Sequence, residues 1–83
     1  FPVKDRKLEG YLAEFPAGAG PSEPHDHPGA ELVYVLKGRL VITIDGEDHT
    51  LDASDSIYFD PSAPHSYRCA GRTDAAAAVV VTA

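Results

Sequence analysis

Residues 24–38 read PHDHPGAELVYVLKG, a stretch whose two halves carry different signals. Its second half, Glu31 to Lys37, is a β-branched and aromatic run, which predicts a strand. Its first half sets His25 and His27 one residue apart. In an extended chain alternate side chains share a face, so both imidazoles point the same way with Cα atoms ~6.5 Å apart, while Asp26 points away. Glu31 follows the Pro28-Gly29 bend, where a carboxylate can return to the same spot. An isolated pair of this kind is ordinarily a polar loop before a strand. A row of two imidazoles and a carboxylate, by contrast, needs compensating charge, and a divalent cation supplies it.

Outward from this stretch the chain keeps to short strands and tight turns. Glu31 to Lys37 meets Leu40 to Ile44 (LVITI) across Gly38 as a hairpin, and Asp45-Gly46 turns the chain into Glu47 to Leu51. Asp-Gly suits a turn whose two central residues both need positive φ. Ser56 to Phe59 (SIYF) and His65 to Cys69 (HSYRC) follow as strands, separated by the proline-marked turn Asp60 to Pro64. Upstream, Gly10 to Phe15 predicts a strand after a charged lead-in, and Ala17 to Pro24 a Gly/Pro-rich loop. In the tail RTDAAAAVVVTA, Asp74 can cap a short helix through the alanines, whereas VVVT prefers a strand; the strand is expected for its end. Strands at this regular spacing imply an all-β sandwich or barrel, with residues 1–83 as one domain.

Composition narrows the function classes. The 83 residues bury only a marginal core, so metal, partners or further chain are expected to assist. Thirteen acidic against seven basic residues give a net charge of −6 with no basic cluster, which argues against direct nucleic-acid binding by this segment. The lone Cys69 has no internal disulfide partner, and no apolar run approaches the roughly 20 residues of a membrane span. A soluble, cytoplasmic domain with no membrane partner is the expectation. The first residues, FPVKDRKLEG, lack a signal-peptide core and an initiator methionine, which suggests a fragment of a longer chain or a trimmed product.

The series His25-x-His27-xxx-Glu31-xxxxxx-Gly38 resembles the first motif of the cupin superfamily, and Ser54-Asp55-Ser56-Ile57-Tyr58-Phe59 leading into Pro64-His65 resembles the second. The likeness runs from about Leu8 to Cys69. It implies a small double-stranded β-helix, the jelly-roll barrel, and a ligand set of His25, His27, Glu31 and His65 around one divalent transition metal. Fe, Mn, Ni, Cu and Zn all suit imidazole with carboxylate. Ala19 occupies the place of the first motif's leading glycine, Ser54 stands where the second motif usually has glycine, Pro61 falls one place late, and Cys69 replaces the closing asparagine. None of these positions is a ligand.

Tyr67, two residues from His65, is a pocket wall or an ordinary core aromatic, and with Val33, Val35 and Phe59 it is expected to line the pocket. His49 reads as a solvated strand residue. Cys69 lies ~13 Å from His65 along an extended strand, too far to be a ligand. Asp55 and Asp60 read as turn-forming aspartates rather than general bases. Leu32, Tyr34 and Leu36 make the face opposite Glu31, Val33 and Val35 equally apolar; both faces must then be covered, which suggests a homodimer. The strand phrasing also resembles the C-terminal cupin domain of helix-turn-helix regulators of the XRE type, which implies a small-molecule sensor. The alternatives are a small metal-dependent enzyme (a dioxygenase, isomerase or epimerase) and a structural barrel without metal.

Overall fold

The computed structural model describes residues 8–82, so the charged lead-in at residues 1–7 lies outside them. The strands are β1 Leu8–Phe15, β2 Ala30–Lys37, β3 Arg39–Ile44, β4 Glu47–Asp52, β5 Ser56–Phe59, β6 His65–Cys69 and β7 Ala75–Thr82, with no helix among the described residues. They form two antiparallel sheets, β1-β7-β2-β5 and β4-β3-β6, which close face to face as a small jelly-roll barrel. Register puts Val33 beside both Ile57 and Val79, and Val35 beside Ala77. These inward residues meet Leu40, Ile42 and Leu51 from the other sheet in the buried core. Each fully buried aliphatic side chain contributes roughly 1.5–3 kcal/mol, which is how so short a chain sustains a barrel.

Local chemistry explains the turns. Asp45 and Gly46 both take positive φ, 50° and 81°, as the Asp-Gly pair predicts for the β3–β4 hairpin. Ser54 takes φ 76°. It thus holds, as a non-glycine, the left-handed conformation for which the related motif uses glycine. Its amide donates to the Val35 carbonyl at 2.8 Å, and the Val35 amide donates to the Asp55 carbonyl at 2.9 Å. Those bonds occupy Val35 and coincide with the register shift between Val35 and Lys37. Asp55 accepts the Asp52 amide through its side chain, and Asp60 accepts that of Ser62, so both act as turn residues. The Ser62 bonds hold the Asp60 carboxyl below the usual carboxylate range.

From Ala75 to Thr82 the tail is strand, alanines included. Asp74 caps no helix; its Oδ1 accepts the Ala17 amide at 2.9 Å and so ties the end of β1 to the start of β7. β7 lies between β1 and β2, where Ala75 and Ala77 are fully buried. Small side chains fit that crowded interior, and pairing on both edges overrides the weak strand propensity of alanine. From Glu31 to Leu36 β2 alternates between buried and exposed, and its outer residues Leu32, Tyr34 and Leu36 are 39%, 42% and 47% exposed. With Leu12 of β1 and Tyr58 of β5, also exposed, they make the outer face of this sheet apolar.

Candidate metal centre

The four residues singled out at the sequence level arrive at one end of the barrel by different routes. His65 begins β6 opposite Ile44, and Glu31 stands near the start of β2 between Phe59 and Val81. His25 lies outside any strand, yet it exchanges two backbone bonds with His65, its amide donating at 3.0 Å and its carbonyl accepting at 2.9 Å. The His27 amide donates to the Pro61 carbonyl at 3.0 Å. The segment carrying both histidines is therefore laced to the turn and strand that carry the third.

The imidazoles converge. One ring nitrogen from each of His25, His27 and His65 lies within 4.8 Å of the others. The Nδ1 atoms of His25, His27 and His65 face the backbone carbonyls of Glu23 at 3.3 Å, Pro28 at 3.1 Å and Ala63 at 2.9 Å. A carbonyl only accepts, so each Nδ1 is placed to donate, and in the neutral ring the lone pair then falls on Nε2. This is the arrangement by which backbone carbonyls orient histidine ligands in metal sites. His65 is 1% exposed, and its Nε2 is the buried side-chain polar atom without a hydrogen-bond partner among the described residues.

Glu31, also 1% exposed, lies against two of the three imidazoles. Its Oε1 lies 2.9 Å from His27 Nε2 and 3.5 Å from His65 Nε2. Acceptors at these distances need a positive charge between them, a proton or a cation. Two donors each ~2.1 Å from a shared cation are ~3.0–3.4 Å apart for right-angled to tetrahedral arrangements. The two carboxylate spacings bracket that range and the donor types suit a metal ion, and the orphaned Nε2 of His65 is the group such an ion would satisfy. The second carboxylate oxygen, Oε2, accepts the Tyr67 hydroxyl.

Comparison with known proteins identifies the family. The family model Cupin domain (Cupin_2) matches residues 11–82. The chain belongs to the cupin family. Among curated proteins, the HTH-type transcriptional regulator PuuR of Escherichia coli (strain K12) is 33% identical over 63 residues, covering 76% of this chain and 34% of the regulator. This cupin thus spans about a third of that relative's length. The crystal structure of the Cupin_2 domain of an XRE family transcriptional regulator from Enterobacter cloacae matches with a TM-score of 0.76 and 28% identity, over 90% of this chain and 80% of that one. A cupin protein from Bacteroides fragilis matches at 0.78 and 31%, over 92% and 66%. A protein described as a predicted oxalate decarboxylase from Thermotoga maritima matches at 0.75 and 29%, over 89% and 65%.

The other candidates distribute unevenly around this cupin centre. Phe59 packs edge-on against His65 with ring centroids 5.1 Å apart, while Val33 and Val35 are fully buried in the core. Tyr67 tilts between Phe15 at 5.6 Å and His25 at 5.8 Å. It also helps to line a cleft of about 360 Å³ between the 16–22 loop and β6, along with Phe15, Ser22, Arg68 and Cys69. Cys69 donates to the Thr73 carbonyl at 3.1 Å and is no member of the histidine cluster. His49 is half-buried opposite Ile42 rather than freely solvated, because β4 returns its alternate residues toward the core. Tyr11 was not singled out at the sequence level. It shares a register row with Val79 and Val33, and burial, followed by the charges of Glu31 and Glu9, raises its phenol above the usual range. Only the inward parity of GYLAEF could have pointed to it.

Proposed function

We propose that this cupin domain binds one divalent transition metal through His25, His27, Glu31 and His65 and senses a small molecule as the ligand-binding part of a transcriptional regulator. The observation that carries the metal half is the buried Nε2 of His65, which has no hydrogen-bond partner among the described residues and lies beside two further imidazoles and the Glu31 carboxylate. The metal is one of Fe, Mn, Ni, Cu or Zn, since all accept this donor set. The sensing half is supported by the similarity to regulator proteins and by the cleft that shares Tyr67 with the centre. In this reading residues 1–83 are one cupin domain of a larger cytoplasmic protein, and DNA contact belongs elsewhere, in keeping with the net charge of −6. No helix among the described residues is long and apolar enough to cross a membrane.

Metal content per chain, measured by plasma mass spectrometry on untagged protein, tests the reading. About one equivalent is expected, with a higher melting temperature than the stripped protein, because an ion that binds only the folded site stabilises it. No uptake after reconstitution overturns it. The similarity to a predicted oxalate decarboxylase favours a second reading, a small metal-dependent enzyme such as a dioxygenase, isomerase or epimerase. Ligand-dependent stabilisation without turnover separates the sensor from the enzyme, which consumes its substrate.

A second copy of the chain is proposed to cover the outer face of the β1-β7-β2-β5 sheet as a homodimer. Register lines up Leu12, Ala78 and Tyr34 in one row and Val80, Leu32 and Tyr58 in the next, leaving an exposed apolar surface that a two-fold axis would match to itself. Light scattering is expected to give the mass of two chains at micromolar concentration, and Tyr34→Glu to reduce it to one. A one-chain mass for the unaltered protein across that range rejects the dimer.

A further inference from the structure

The two oxygens of Glu31 do different work. Oε1 faces His27 and His65, whereas Oε2 is taken by the hydroxyl of Tyr67. Tyr67 is held independently of that bond: its amide donates to Ser22 Oγ at 2.9 Å, its carbonyl accepts the Ser22 amide at 2.8 Å, and its ring rests on Phe15. A phenol anchored in this way is a fixed donor. A carboxylate with both oxygens unengaged can swivel or present both of them to an ion. With one oxygen bound, it presents the other.

We propose that Tyr67 is the positioning residue of the centre, fixing Glu31 so that Oε1 alone is offered to the cation. The proposal rests on the metal-binding reading above and adds a role that the four-residue ligand set does not contain. Burial gives it weight: with Glu31 1% exposed, water cannot readily replace the phenol, so removing the hydroxyl leaves a charged oxygen unpaired or frees it to turn toward the ion. Tyr67 is also the residue shared by the cluster and the cleft. A molecule seated beside Phe15 and Tyr67 would therefore act on the carboxylate through this one hydroxyl.

The test uses Co(II) as the probe, with affinity read by chelator competition and coordination by the visible d–d spectrum. Tyr67→Phe keeps the ring and removes the donor. It is expected to weaken Co(II) binding about 10- to 100-fold, the range for loss of a group that orients a ligand, and to alter the spectrum as Glu31 changes its mode of binding. In a Glu31→Ala background the same substitution should cost nothing further, because Tyr67 acts through Glu31. Unchanged affinity and spectrum in Tyr67→Phe, or an equal loss in both backgrounds, would overturn the positioning role while leaving the metal site intact. Failure of the unaltered protein to take up Co(II) overturns the metal reading and this proposal with it.

Discussion

His65→Ala is expected to abolish the metal-dependent part of this domain's stability. Of the three clustered histidines, His65 is the most buried, its Nε2 has no hydrogen-bond partner among the described residues, and its ring sits 4.2 Å from that of His25 and 5.3 Å from that of His27. Removing it takes away the innermost donor, and the loss of affinity should be at least the 10- to 100-fold seen when a group that merely orients a ligand is lost. Where the ion is present at 100 times its dissociation constant it contributes about 2.7 kcal/mol, and a 100-fold weaker site forfeits most of that. The stripped protein should change less. Alanine leaves a cavity beside Phe59, but it also removes a buried nitrogen that lacked a partner. Calorimetric melting with and without added metal reads the difference directly. If His65→Ala retains both metal content and the melting shift, His65 leaves the ligand set. His49→Ala, altered on β4 and outside the cluster, is the control that should keep both.

Gly38→Ala should be the most damaging single-methyl change outside the centre. Gly38 holds φ 76°, where a side chain costs about 1–2 kcal/mol. A Cβ there would also lie 2.8 Å from the Ala75 Cα and 2.8 Å from the Asp74 carbonyl oxygen. Both obstacles are backbone, and forcing them apart adds roughly 1–3 kcal/mol. The expected destabilisation is therefore about 2–5 kcal/mol in urea unfolding. Gly46→Ala isolates the conformational part, since Gly46 takes φ 81° and its added Cβ would meet nothing within 4 Å. Equal losses for the two variants would mean that the close approach of β7 to the β2–β3 turn carries no energetic weight.

Both predictions concern residues whose importance was legible to different depths. His65 is visible in the sequence because the second motif follows the first at a recognisable remove. The need for glycine at position 38 is visible as a turn. The reason the need is so strict is not, because Asp74 and Ala75 lie far along the chain and approach only when β7 inserts between β1 and β2. The alanine tail shows the same limit. Propensity left helix and strand open for Ala75 to Ala78, and the choice was made by two neighbouring strands and by Asp74, whose carboxylate is engaged by Ala17 instead of by a helix start.

Local sequence is enough for the strand-rich class, the Asp45-Gly46 hairpin, the shared face of His25 and His27, and the apolar outer face of β2. All of these follow from steric and alternation rules acting within a few residues. The closed barrel sets which histidine nitrogens face the centre, since that choice rests on the carbonyls of Glu23, Pro28 and Ala63. It also decided that Tyr67, otherwise a plausible core aromatic, donates to Glu31 across 36 residues of chain. Hydrogen bonds of that kind depend on where remote strands come to rest when the barrel closes, and no local pattern encodes the distance between them.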